Sequence, residues 1–599
     1  MTRFEVWAPY ATTLQVAVGH GHGHGHGDGD EQELVRYSMR RAGRGRWEAE
    51  VPAAGHGSDY GFVLDGGDEV LPDPRSPWQP YGAHGISRVY EHDRFVWTDH
   101  RWRGRPLAGG VVYELHIGTF TPEGTFDSAI ERLDHLVSLG IDMVEVMPVA
   151  SFPGRQGWGY DGVHLWAPHE PYGGPDGLKR FVDAAHARGL AVVLDVVYNH
   201  LGPSGNRLKS FGPYFTSTYA TPWGEAVNYD QEGADEVRAF VVDNALMWMR
   251  DFHIDGLRLD AVHAINDGQA VHILEHMEVA VDGLQTRLGR TLFLIAESGL
   301  NDPRLVTARE AGGYGLDAQW NDDFHHALHS ALTGERQGYY CDFGSLETLA
   351  KSLTRVFVHD GTWSAYRERR HGRPVDLLTT PGYRFLGFLQ NHDQVGNRAA
   401  GDRLSGTLGT GMLKVGAALV MTAPFTPMLF MGEEWGATTP FCYFTDHAEP
   451  ELAQAIREGR RREFSSHEWP GEVPDPQAVD TFRRSVLDWA EPDKVQNREL
   501  LEWHRALISL RRAWPELTDP RLTEVSADYD EQGRWLVLRR GRLSVAANLG
   551  PTSVRLPIPG RLVLASNPGV RAGTTAPPAV TLPGASLAVV ARDDAGTPK

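Results

Sequence analysis

The spacing of apolar positions divides the chain into three regimes. Residues 4–8, 14–18, 47–51 and 60–64 alternate apolar with polar side chains and are separated by turn-rich segments, the pattern of half-buried strands in a small β-sandwich. From residue 111 the alternation gives way to short continuous apolar runs, at 111–116, 141–148, 191–197, 292–296 and 427–431. Stretches of helical period lie between them. One carries Ile130, Leu133, Leu136, Val137 and Leu139 and ends at Gly140, another runs from Phe181 to Gly189, and a third, at 498–508, follows the last run. Buried-strand and helix patterns in turn predict a parallel sheet or barrel. Beyond Pro515 alternation returns at 534–538, 543–548 and 586–590, which reads as an antiparallel β-domain. The expected division is 1–105, 106–514 and 515–599.

Several of the central runs end on acids. Residues 255–263 read D-G-L-R-L-D-A-V-H; side chains alternate along a strand, so Arg258 and Asp260 point the same way while Leu257 and Leu259 face the other side. A guanidinium beside Asp260 favours its ionised form, as a nucleophile requires. A lone R-x-D is more often a structural ion pair. Here, however, 292–297 ends on Glu297, 384–393 ends on His392-Asp393, and 191–200 ends in Tyr198-Asn199-His200. In a parallel barrel such strand ends gather at one mouth, where the chemistry sits.

The stretches D-V-V-Y-N-H (195–200), G-L-R-L-D-A-V-H (256–263), A-E-S (296–298) and Q-N-H-D (390–393) together resemble, in order and spacing, the four signature regions of the α-amylase superfamily of retaining glycoside hydrolases and transglycosylases, glycoside hydrolase family thirteen. The resemblance implies a multidomain α/β protein: a central (β/α)8 TIM barrel, an N-terminal immunoglobulin-like sandwich similar to carbohydrate-binding modules, and a C-terminal antiparallel β-domain. It also implies Asp260 as nucleophile, Glu297 as general acid and base, and Asp393 as transition-state stabiliser. His200, Arg258 and His392 would line the sugar subsite, with Tyr160 stacking on the ring. His263 and the cluster Gln319, Trp320, Asp322 and Asp323 would reach the leaving group, and Gln390, Asn391 and Gln394 complete the expected substrate-binding set. Asp195 and Asn199 match positions that bind or adjoin calcium in many amylases, but here they are read as acting through hydrogen bonds, with no metal and no cofactor expected.

Residues 113–126, 296–303, 388–398, 432–447 and 482–489 are similar to the maltooligosyltrehalose trehalohydrolase family within that superfamily. This implies hydrolysis of the α-1,4 bond next to a terminal trehalose unit, with maltooligosyltrehalose and maltooligosaccharides as substrates and functional coupling to a maltooligosyltrehalose synthase. A branching transglycosylase and a non-catalytic glucan-binding protein are the alternatives; the intact trio of acids argues against the second.

Composition narrows this further. A net charge of −20 argues against binding a polyanion through a basic surface, so no nucleic-acid partner is expected. Seventeen tryptophans are mostly core, with some free to stack on sugars; Gly157 and Gly159 favour an exposed, shaped turn for Trp158 and Tyr160. Only two cysteines occur, Cys341 and Cys442, without metal-like spacing. The first residues lack a secretory apolar core and no run approaches the roughly 20 residues of a membrane span, so a cytoplasmic protein with no membrane association is expected. Glu297 ends an apolar run and is expected to have no adjacent cation, so drier surroundings should raise its pKa. The tract H-G-H-G-H-G-H-G-D-G-D at 20–30 reads as a hairpin loop with incidental metal affinity.

Overall fold

The computed structural model describes residues 1–19, 34–465, 473–573 and 578–592; the histidine–glycine tract lies outside them. Eight strands close into a barrel and follow one another around the ring in chain order. They are β1 Val112–Leu115, β2 Met143–Val146, β3 Ala191–Val196, β4 Gly256–Leu259, β5 Phe293–Ala296, β6 Ala318–Trp320, β7 Phe385–Phe388 and β8 Thr426–Phe430. All pairings around the ring are parallel. Every strand residue is buried, because helices cover the outside and side chains fill the inside, which is why the runs read as continuous rather than alternating.

The two faces of the strands make two cores. Val112, Met143, Val193, Ile295, Phe388 and Met428 pack together inside the barrel. Val144, Leu194, Leu257, Leu259, Leu294 and Leu429 point outward and join the residues of the surrounding helices, among them Phe181 of Gly174–Ala187 and Leu507 of Val495–Ala513. The helical segment before β2 forms two short helices, Phe126–Ile130 and Leu133–Leu139. Gly140 ends the second at φ 100°, the left-handed position glycine adopts without strain.

Before the barrel, a three-stranded sheet (Thr2–Trp7, Arg46–Val51, Arg40–Gly43) and a four-stranded one (Val35–Ser38, Leu14–Val18, Asp59–Leu64, Ser87–Arg88) form the N-terminal β-layer pair. It meets the barrel through Trp7 against Tyr214 and an Arg46–Glu236 ion pair of 2.5 Å. After the barrel come a five-stranded antiparallel sheet and a three-stranded one. Buried Arg540 of the larger sheet donates to the carbonyls of Thr422 and Asp519 at 3.0 and 2.9 Å, which fixes that sheet to the barrel flank. Among the described residues no helix is long and apolar enough to cross a membrane.

Candidate active site

The carboxyl-terminal ends of the strands bring the acids together. Arg258, the penultimate residue of β4, is fully buried, and its Nη1 donates to Asp260 Oδ1 at 2.7 Å and to both oxygens of Asp195 at 3.0 Å. Asn199, just past β3, donates from Nδ2 to Asp260 Oδ2 at 2.7 Å and to its carbonyl at 2.8 Å. Asp260 is thus gripped at both oxygens by donors from two neighbouring strands. Asp195 also accepts from the Tyr160 hydroxyl at 2.6 Å. Burial, reinforced by Asp260 and opposed by Arg258, pushes its pKa up to about 7.

Glu297 follows β5 directly. Its Oε2 accepts the Ala261 amide at 2.6 Å and stands 3.8 Å from Arg258 Nη2. The expectation of no adjacent cation is therefore corrected: strand alternation hides from the sequence that Arg258 reaches across β4 to β5. Burial still dominates. With help from Asp260, Asp322 and Asp393 it outweighs the guanidinium and raises the Glu297 pKa to about 8, so the group is an acid at neutral pH. Ala261 adopts φ 38°, ψ 49°, a left-handed conformation that a side chain disfavours; this aims its amide at Glu297.

His392 and Asp393 open a short helix, His392–Gly396, capped by Asn391, whose side-chain oxygen accepts the Gln394 amide at 2.8 Å. Glu114 of β1 accepts from the His392 backbone amide at 2.8 Å and pairs with its ring Nδ1. Burial works against the imidazolium, but Asp393 and Glu114 outweigh it and lift the ring to about 9. The other ring nitrogen meets the Tyr160 hydroxyl at 2.8 Å and lies 3.4 Å from Asp393 Oδ2. Tyr160 stacks against His392 at 5.3 Å and remains half-buried at the mouth.

The expected binding residues separate into a mouth and a wall. His200 bonds the Tyr160 carbonyl at 3.0 Å and is covered by Trp223, whose ring lies parallel to it at 4.2 Å. His263 is exposed at the mouth and Asp322 is partly so; withdrawal from water, with Asp393 and Asp323 nearby, raises Asp322 to about 7. Asp323, one residue on, turns the other way around the helix Asp322–Thr333 and accepts from Asn301 and from the amides of Val358 and His359. Gln390 accepts the Leu404 amide. Gln319, Asn391 and Trp320 are buried, with Trp320 lying 4.3 Å beneath the Arg258 guanidinium. Gln394 is half-buried beside a small pocket shared with His325 and Arg398. These side chains support the site from behind. Trp158 is also core: it is buried, stacks on Phe441 and donates to the Cys442 carbonyl at 2.9 Å. The glycine beside it serves a close approach, since a Cβ on Gly159 would meet the Pro148 carbonyl oxygen at 2.1 Å. Among the described residues no group of three or more histidine, cysteine or acidic side chains could hold a metal ion; Asp195 and Asn199 spend their contacts on Arg258, Tyr160 and Asp260.

Comparison with known proteins shows the family. Residues 89–218 match the "Alpha amylase, catalytic domain" family model, and residues 520–589 match a domain of unknown function, DUF3459. The chain is 53% identical over 574 residues to malto-oligosyltrehalose trehalohydrolase of Arthrobacter ramosus, covering 95% of this chain and 96% of that one. The chain belongs to the malto-oligosyltrehalose trehalohydrolase family. The Saccharolobus solfataricus member is 43% identical, with 94% of each chain covered. A crystal structure of a putative α-amylase from Salmonella typhimurium superposes with a TM-score of 0.88 at 38% identity, covering 99% of this chain and 97% of that one.

This trehalohydrolase-family site also contains groups that reasoning from sequence missed. Trp223 is 48% exposed on the hairpin Phe215–Val227. Arg367 bonds the Gly299 carbonyl at 3.2 Å and its charge reaches both Asp322 and His263. The Tyr339 ring lies tilted against His326 at 5.0 Å, and exposed Tyr366 meets Tyr339 edge-on at 6.2 Å. All four sit on loops outside the strand-end motifs. Their signal is the aromatic and basic content of long loops after β3 and β6.

Proposed function

We propose that the chain is a retaining glycoside hydrolase that cleaves the α-1,4 bond next to the terminal trehalose unit of maltooligosyltrehalose, releasing trehalose and a shortened maltooligosaccharide. The observation that carries the chemistry is the contrast between the two carboxyl groups. Asp260 is held at both oxygens by Arg258 and Asn199, while Glu297 is buried with its pKa near 8. Retaining cleavage needs one carboxylate to attack and one acid to donate. In the first step Asp260 forms a bond to the anomeric carbon as the glycosidic bond breaks, and the Glu297 proton passes to the leaving oxygen of trehalose. In the second, Glu297 takes a proton from water, whose oxygen displaces Asp260 and restores the starting configuration. Asp393 and the imidazolium of His392 face the ring that gains positive character. Asp393 stabilises it, while His392, fixed between Glu114 and the Tyr160 hydroxyl, holds Tyr160 and Asp393 in place beside the ring.

The choice of a trehalose leaving group rests on the family. His263 and Asp322 at the mouth are suited to its hydroxyls. The substrate implies a preceding enzyme that turns the reducing end of a maltooligosaccharide into a 1,1-linked pair, and the chain would work with such a synthase in the cytoplasm, where its two free cysteines stay reduced. Incubation with purified maltooligosyltrehalose tests the reading: free trehalose is expected, and new 1,6-branches without trehalose would replace it with the branching reaction.

A further inference from the structure

Below the reaction centre, inside the barrel, lie buried polar atoms to which the chemistry above gives no task. Glu145 of β2 is 1% exposed, and neither of its carboxyl oxygens has a protein hydrogen-bond partner. Arg258 uses Nη1 for Asp195 and Asp260, but its Nε and Nη2 have no hydrogen-bond partner in the protein, Nη2 having only the 3.8 Å ion-pair approach to Glu297. The same is true of Nε1 in Trp320, the indole on which that guanidinium lies.

Strand register places these groups on one interior face. Glu145 pairs with Glu114 across β1 and β2 and with Val193 across β2 and β3, and Val193 pairs with Gly256 at the start of β4. Met143 and Val193 belong to the interior core, so Glu145, two residues after Met143, also points inward. Arg258, two residues after Gly256, does the same one step nearer the mouth. Gly256 contributes no side chain between them. Interior polar atoms left without partners oppose folding, and native proteins meet this with ordered water where donors and acceptors converge. Here the acceptors are on Glu145 and the donors on Arg258 and Trp320.

We propose that Glu145 is a positioning residue for the reaction centre: buried water links its carboxyl group to the free edge of the Arg258 guanidinium, bracing Arg258 on the side opposite Asp195 and Asp260. The consequence is mechanical, since Arg258 carries one oxygen of Asp260, and a guanidinium fixed on both edges cannot swing the attacking carboxylate away. The charges facing Glu145 suit this. Burial and the neighbouring Glu114, with Asp195, hold its pKa well above the carboxylic range against the pull of Arg258 and His392. That direction favours the protonated form, in which the carboxyl group accepts and donates through water without drawing the Arg258 charge away from Asp260.

The proposal rests on Asp260 as the nucleophile, and its test separates the two claims. With wild-type activity on maltooligosyltrehalose established first, Glu145→Leu should lower kcat about tenfold or more while KM changes by less than about threefold, and Glu145→Gln, neutral and polar, should recover kcat to within about threefold. Wild-type kcat in Glu145→Leu, or equal loss in Glu145→Gln, would overturn the proposal. If Glu145→Leu does not fold, a crystal structure of the wild-type protein at a resolution that defines ordered solvent decides. Water within hydrogen-bond reach of both Glu145 and Arg258 Nε or Nη2 is expected; a direct contact or a dry gap there sinks the bridge, whatever the substrate proves to be.

Discussion

The lower and upper halves of the barrel interior are built by the same eight strands, yet they have opposite chemistry. Below, Val112, Met143, Val193, Ile295, Phe388 and Met428 close an apolar plug. Two residues further along four of these strands, about 7 Å at the usual strand rise, stand Glu114, Glu145, Asp195 and Glu297, joined by Arg258 two residues after Gly256 of β4, nearly all buried. The plug gains stability from every methyl group it hides, whereas the upper layer holds carboxyl groups away from water, which opposes folding. Stability and reactivity are therefore set by adjacent layers of side chains, and substitutions in the two layers should separate cleanly.

The largest effect is expected at Asp260→Ala: kcat below about a hundredth of wild type, because the covalent route is lost, with a melting temperature little changed. Retention of substantial turnover would move the nucleophile elsewhere. Glu297→Gln should lose activity on maltooligosyltrehalose to a similar order yet still glycosylate Asp260 from an activated glycosyl fluoride, which needs little protonation. This variant should also be more stable than wild type near neutral pH. The folded pKa of Glu297, about 8, exceeds the ordinary value of 4.5, so between those pH values the unfolded chain binds fewer protons and stability falls as pH rises. The glutamine removes that loss, and its advantage should vanish below about pH 4.5, as thermal melts across pH would register. In the plug, Ile295→Ala should give the reverse profile, a loss of about 2–5 kcal/mol in denaturant unfolding with kcat nearly intact; a large drop in kcat would show that the two layers are not separable. The wild-type kcat/KM should decline on the alkaline side as Glu297 loses its proton near pH 8. The smallest change should come from His263→Ala and Asp322→Ala, which should raise KM and lower kcat several-fold more for maltooligosyltrehalose than for plain maltooligosaccharide. An unchanged ratio would make them structural.

The barrel was legible because strands buried on both faces read as short apolar runs between helical stretches, and side chains that alternate along a strand allowed Arg258 and Asp260 to be assigned to one side from spacing alone. Alternation could not tell how far those faces reach across neighbouring strands. The contact of Arg258 with Glu297 and the juxtaposition of Glu114 with Glu145 depend on register, which local sequence does not carry. In the helix after β6, adjacent residues diverge by about a quarter turn, so Asp322 reaches the mouth while Asp323 is drawn into backbone contacts; the pair looked equivalent in sequence. Trp158 was misread as exposed because glycines mark both turns and close packing, and here Gly159 serves the approach to Pro148. Trp223 and Arg367 come from loops whose paths are fixed by tertiary packing and were not anticipated.

Ala261 has a consequence for libraries of variants. Its left-handed backbone, φ 38°, delivers an amide to Glu297, so selection at this position acts on conformation rather than on side-chain chemistry. In a saturation screen, valine, isoleucine and threonine should disappear as completely as if the residue bound the sugar, while glycine survives and asparagine persists at lower frequency. A map of mutational tolerance would then mark position 261 as essential, although what is being conserved there is a torsion angle.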